Sequence, residues 1–312
     1  MRRGLYAGIA LLITLGVGLA IAGSVGDLPE IEFRARPGWI ALAVVGMGLY
    51  LLAAAELWRG LLRQLGQQLR PSPAMAVWFT SALGRYVPTS LLYPVMRVAA
   101  GDRVGIPGRI SLVSLVYEVG LSFAAALLIS AYFVIDLPAL EDQPARFAVI
   151  AVPVIAIAAL RPRVFHQATD WALTRVGRAP LPIALHERGI VLLTLGYAGT
   201  FVLSGASTYG LAECVYPEVG PADIPVITGA FAIATAVSFV AFMLPAGLVA
   251  REAAMVLALA PVMPAAPALA LAVLSRITQI GLEVLLAVGS QLAARREAAA
   301  TPMSRPPPAR LP

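Results

Sequence analysis

Lysine and asparagine are absent from this chain, so all 23 of its basic residues are arginine. That bias reads as the codon usage of a GC-rich genome and carries no function of its own. Cysteine is nearly absent as well, and the single Cys214 excludes an internal disulfide. The only two histidines, His166 and His186, sit in separate polar connections, and no Cys/His cluster offers a metal site. No Walker motif is present, so nothing in the sequence hydrolyses ATP. Asp-rich motifs and His/Asp constellations are missing too. Charge is scarce: 13% of residues are charged, against about 25% in a soluble globular domain.

What fills the chain instead is apolar. Of 312 residues 59% are hydrophobic, and the mean hydropathy is +0.83. Several charge-free windows reach the ~20 residues needed to cross ~30 Å of hydrocarbon. A β-barrel would alternate apolar and polar residues in short segments, whereas these runs are continuous. The fold class is therefore an all-α polytopic membrane protein. The net charge of +6 belongs to loops that set orientation rather than to a nucleic-acid surface.

Eight crossings are expected: about 5–23, 38–58, 110–135, 146–160, 189–213, 223–244, 247–262 and 266–293. The first ends in AIAGS, which resembles a cleavage site, but its length and the helices that follow favour a retained helix. Arginines cluster after the second run (Arg59, Arg63, Arg70), before the third (Arg97, Arg103, Arg109), between the fourth and fifth, and in the tail. The alternate connections carry Asp27, Glu30 and Glu32, then Asp136, Glu141 and Asp142, then Glu213, Glu218 and Asp223. This asymmetry places both termini in the cytoplasm of a cell that holds the protein in its plasma (inner) membrane. It also requires 247–262 to cross, or nearly cross, despite Arg251 and Glu252.

Residues 1–294 read as one integral membrane domain and 295–312 as a disordered cytoplasmic tail. Residues 163–177 carry an amphipathic pattern expected to lie flat in the interface. Residues 71–101 are too rich in proline and polar groups for a crossing helix and too apolar for a solvated loop. A re-entrant hairpin fits, because broken backbone is tolerated at membrane depth only inside protein or beside water. The stretch MLPAGLVARE, residues 243–252, breaks a second apolar region at Pro245 and Gly247. Each break, Pro88 or Pro245, precedes a charged helix, which points to an internal repeat.

The intramembrane charges are Arg97, Glu118, Arg251, Glu252, Arg276 and Glu283. Each costs about 2.5–3.5 kcal/mol at the bilayer centre, so they must pair, face water or lie shallow. Ser111, Ser114, Glu118 and Ser122 form one helical stripe; Arg276, Gln279 and Glu283 form another; Thr228, Thr235 and Ser238 form a third. Three stripes imply a shared polar interior. Two readings stay open for the charges: ion pairs that lock helices, Arg276 with Glu283 among them, or contacts along a cargo route. At MLPAGLVARE a restarted helix offers free N–H groups beside Arg251, an anion site in outline. Arg85, within the re-entrant segment, is a second candidate contact.

At these positions the chain resembles the flippase-like integral membrane domain of lysylphosphatidylglycerol synthases. That family's motif Pro-Gly-Gly-Leu-Gly-x-x-Glu is matched by Pro245, Gly247, Leu248 and Glu252, with Ala246 and Val249 in place of two glycines. A Gly-Lys/Arg-Tyr-x-Pro-Gly segment leading to an arginine is matched by Gly84, Arg85, Tyr86, Pro88 and Arg97, with Thr89 where glycine is usual. Glu118 and the LSRITQ segment with Arg276 are family-like as well. The resemblance implies movement of lipids between leaflets. Members that aminoacylate lipids carry a soluble transferase domain after the membrane part; this sequence runs about twenty residues past its last span, so lysyl transfer is not expected.

The expected function is therefore a lipid translocase and not an enzyme. Its cargo would be an anionic phospholipid or a polyprenyl-phosphate-linked lipid. Arg251, Arg97, Arg85 and Arg276 would meet phosphate, Glu252 would orient Arg251 and neutralise it in the empty site, and Glu118 and Glu283 would serve as charge partners. No cofactor and no nucleic acid are called for. A membrane-embedded transferase using Glu118 or Glu252 as base, and a subunit that positions a partner glycosyltransferase, remain as alternatives.

Overall fold

The computed structural model describes residues 33–86, 92–135, 185–241 and 247–300, with isolated positions between 151 and 167. Among them there are eight α-helices and no strand. They are α1 (Pro37–Gln64), α2 (Pro71–Ala82), α3 (Leu92–Asp102), α4 (Gly108–Ile135), α5 (Glu187–Val215), α6 (Ile224–Ala241), α7 (Gly247–Leu259) and α8 (Ala265–Ala300). A 3-10 turn, Leu83–Tyr86, continues α2.

Punctuation in the sequence sets these boundaries. α1 and α2 each begin with proline in the first turn, where the missing N–H has no helical partner to lose. α1 stops at Gly66, whose φ of 77° closes the helix as the Gly66 and Gln67 amides return to Arg63 and Leu62 carbonyls. Gly105, at φ 82°, turns the chain between α3 and α4.

Five helical segments are long and apolar enough to cross a membrane: Pro37–Gln64, Gly108–Ala131, Glu187–Val215, Pro221–Phe239 and Ala265–Ala300. The expected count of eight is not reached among the described residues. The run 5–23 and the interfacial segment 163–177 lie outside them, apart from isolated positions in the latter, and 146–160 is described only at isolated positions. Pro88 and Pro245 also fall outside. The run expected over 247–262 is α7, a helix of 13 residues. At 1.5 Å per residue it spans about 20 Å, short of the ~30 Å hydrocarbon core.

α7 nonetheless returns to the level where α6 began. Leu259 at its far end and Met263 just beyond share an apolar cluster with Val219 and Ile227. α6 and α7 therefore form an antiparallel pair; residues 242–246, which join them, lie outside the described residues.

A second hairpin is built by α2, the 3-10 turn and α3. α2 runs antiparallel along α8: Ser72 donates to Glu297 at 2.6 Å, Gln291 donates to Thr80 at 2.9 Å, and Arg85 meets Glu283 at 2.9 Å. The hairpin thus descends along α8 from residue 297 to residue 283 and climbs back through α3. The disordered tail expected from residue 295 is corrected in part, since α8 stays helical to Ala300 and Glu297 is held by Ser72.

α1 and α5 pack against each other through small residues. A Cβ on Gly210 would meet the Trp39 carbonyl at 2.6 Å, and one on Gly46 would lie 3.0 Å from the Ser207 nitrogen. Ser207 also donates to the Ala43 carbonyl at 2.7 Å. Close helix approach of this kind supplies the dispersion contacts that hold helices together in lipid.

Candidate functional site

The two hairpins and helices α1, α4 and α8 bring the intramembrane charges into one connected chain. At one end Arg97 on α3 is 0% exposed and bonds Glu118 of α4 at 2.8 Å. The same Nη2 also donates to the Tyr93 hydroxyl at 2.8 Å. Trp78 of α2 donates its indole N–H to the other Glu118 oxygen. The Arg97 guanidinium lies over the Trp58 ring, 4.5 Å from its centroid, and Trp58 donates to Ser114 at 3.1 Å. Both Glu118 oxygens are thus bonded, while on Arg97 Nη2 alone is bonded and Nε and Nη1 have no hydrogen-bond partner among the described residues; removing either member of such a desolvated pair would leave a buried charge.

Next along the chain stands Arg85 in the 3-10 turn. It pairs with Glu283 at 2.9 Å and lies within 5.8–5.9 Å of the Trp78, Tyr86 and Tyr93 ring centroids. Glu283 is fully buried and accepts two more bonds, from Tyr86 at 3.0 Å and Gln279 at 2.9 Å. One helical turn back from Gln279 is Arg276, which hydrogen-bonds Glu252 of α7.

Arg251 ends the chain. Its neighbour Glu252 is 3.7 Å away, beyond hydrogen-bond reach, because that carboxylate is committed to Arg276. Arg251 is 6% exposed, its guanidinium faces the Phe231 ring at 5.4 Å, and Nη1 and Nη2 have no hydrogen-bond partner among the described residues. It lies in the second turn of α7, whose first four N–H groups have no partner within the helix. The helix dipole and those amides favour an anion at the N-terminus of α7.

Tyr50 of α1 packs edge-on against Phe231 at 5.8 Å, beside the Arg251 guanidinium, and lies 6.5 Å from Phe201.

Several expectations change in detail. Arg276 pairs with Glu252 and not with Glu283, whose carboxylate is engaged by Arg85 from the hairpin. Glu252 does not neutralise Arg251 by hydrogen bonding. The stripe Thr228, Thr235 and Ser238 builds no shared polar interior: each hydroxyl bonds a carbonyl of its own helix at 2.8 Å. Gly247 is the first residue of α7. Sequence reasoning passed over Trp58, Trp78, Tyr93 and Tyr50, since an aromatic in an apolar run carries no mark of what it will cover.

The family model described as the lysylphosphatidylglycerol synthase TM region matches residues 7–287. The chain belongs to this family. Family membership places it among multi-pass membrane proteins that act on lipids. The match takes in both hairpins and every member of the charge chain. No curated protein matches the chain.

Proposed function

We propose that the protein is a lipid translocase that carries an anionic phospholipid or a polyprenyl-phosphate-linked lipid between leaflets. The observation that supports this most directly is Arg251: a guanidinium 6% exposed, with both Nη atoms unbonded among the described residues, at the start of a helix too short to cross. A buried cation left open is costly, and a phosphate group on α7 would satisfy it. In this reading the two hairpins are re-entrant segments that meet within the membrane, and the paired charges hold them against α4 and α8. Transport is downhill, ion-coupled or partner-driven.

The transferase alternative is weaker. Glu118 is held by Trp78 and Arg97, and Glu252 by Arg276. Carboxylates bound by cations are poor general bases.

Reconstituted protein is expected to speed the movement of a fluorescent anionic lipid between liposome leaflets, read by dithionite bleaching. Arg251→Ala abolishes the effect, and Arg251→Lys keeps part of it, since lysine retains charge but not the planar fork. Transport by Arg251→Ala at the rate of an active wild type would reject the reading.

A further inference from the structure

A groove of about 390 Å³ runs between α1 and α5. On the same two helices Val45, Leu49, Leu192, Leu195 and Val202 are exposed, so the groove opens onto a face that meets lipid. Its walls are small: Ala53 and Gly60 from α1, Gly196, Gly199 and Thr200 from α5. A Cβ on Gly60 or Gly199 would meet nothing within 4 Å. The Thr200 hydroxyl donates to the Tyr197 carbonyl of its own helix at 2.6 Å. The helices are antiparallel, with Gly46 against Ser207 and Gly189 against Gln64. From Leu193 to Leu203 the groove follows α5 for about 15 Å, half of the ~30 Å hydrocarbon core. It lies toward the ends at Gln64 and Glu187 and fits within a single leaflet.

The charged side chain that lines the groove is Glu56, whose side chain is 38% exposed. Arg59 places both Nε and Nη2 on its Oε2, at 2.8 and 2.6 Å. Among the described residues Oε1 receives no hydrogen bond. A charge turned toward hydrocarbon is expensive, and here half of the carboxylate is left open.

From the length of the groove and the open carboxylate within it we infer that α1 and α5 hold a resident aminophospholipid. One acyl chain lies in the groove, the ammonium meets Glu56 Oε1, and the phosphate lies beside Arg59. This site is separate from the anion site at α7, and its lipid stays in place. Headgroup and protein then present opposite charges in matched order. A primary ammonium has three N–H donors and makes charge-assisted bonds to a carboxylate. A quaternary ammonium carries the same charge without a donor. An anionic headgroup with no amine offers Glu56 only repulsion.

Phosphatidylethanolamine, its N-methyl and N,N-dimethyl forms and phosphatidylcholine test this, since they share one net charge and lose one N–H at each step. With equal acyl chains they compete for the full-length chain in nonionic detergent, and bound species are read by native mass spectrometry. Wild type is expected to hold phosphatidylethanolamine at least about tenfold more tightly than phosphatidylcholine, one decade in Kd, with the methylated forms between. Glu56→Gln flattens that order. Gly199→Leu fills the groove and lowers binding of the whole series; Gly60→Leu does the same from α1 if the first variant fails to fold. Arg251→Ala leaves the order as it is.

Equal binding of the four lipids by wild type overturns recognition of the amine, as does an order that survives Glu56→Gln. An order lost in Arg251→Ala but kept in both leucine variants puts the lipid at α7 and overturns the groove. A wild-type dimer that either leucine variant splits, with lipid binding unchanged, makes the groove an interface between copies instead.

Discussion

Arg97 and Arg251 are both buried arginines, yet their surroundings give them opposite roles. Arg97 bonds Glu118 and Tyr93 and lies over the Trp58 ring. Removing it leaves Glu118 buried without its cation, at a cost of about 3–5 kcal/mol. Arg251 has no hydrogen-bond partner on Nη1 or Nη2 among the described residues, and Glu252 keeps Arg276 without it. Arg97→Ala should therefore lower the melting temperature in detergent sharply or abolish accumulation in the membrane, while Arg251→Ala should melt close to wild type. Equal destabilisation by the two substitutions would make Arg251 another structural ion. The positions of these residues were legible in the sequence because charge is so rare in the apolar runs. Their pairing was not. Arg276 and Glu283 share one helical stripe, but Glu283 pairs with Arg85, which lies 198 residues away in sequence. Only the docking of the hairpin on α8 decides that.

At the scale of elements, the long helices were legible as uninterrupted apolar runs, and the hairpin over 71–101 as a run spoiled by proline and polar residues. The length of α7 was harder to see, because apolar sequence continues past Leu259 into a turn at Ala260–Val262. The closeness of α1 and α5 was not read at all, since glycine in a membrane run marks either close packing or nothing. The structure separates those cases. At Gly210 the space for a Cβ is filled by the Trp39 carbonyl at 2.6 Å, whereas Gly48 has nothing within 4 Å. Backbone on a packed helix cannot step aside as a flexible side chain can. Gly210→Ala should force the helices apart and cost about 1–3 kcal/mol, read as a lowered melting temperature. Gly48→Ala should be neutral or slightly stabilising, since alanine is the better helix former. A neutral Gly210→Ala would mean that α1 and α5 are held more loosely than their contact implies.

For the whole molecule the decisive question is the path of the chain through the bilayer, and here the arginine pattern and the hairpins support each other. In the orientation we propose, the α1–α2 connection and the end of α8 lie on the cytoplasmic side, as their arginines favour. α5 then ends on the outer side, and α6 starts inward from there. α8 can finish inside only if it too begins outside, so the short α7 must bring the chain back. Its far end shares the apolar cluster with Val219 and Ile227, as that path requires. Single cysteines in a Cys214→Ser background test the path at four exposed positions: Gln68, Glu218, Ala260 and Ala299. An impermeant thiol reagent added to intact cells should label 218 and 260 and spare 68 and 299 until the membrane is opened. Ala260 carries the weight of the test, because α7 is too short to cross as a simple span. If 260 is labelled only after the membrane is opened, α7 does not return, the antiparallel pair of α6 and α7 is misplaced, and Arg251 is no longer held where the two helices join.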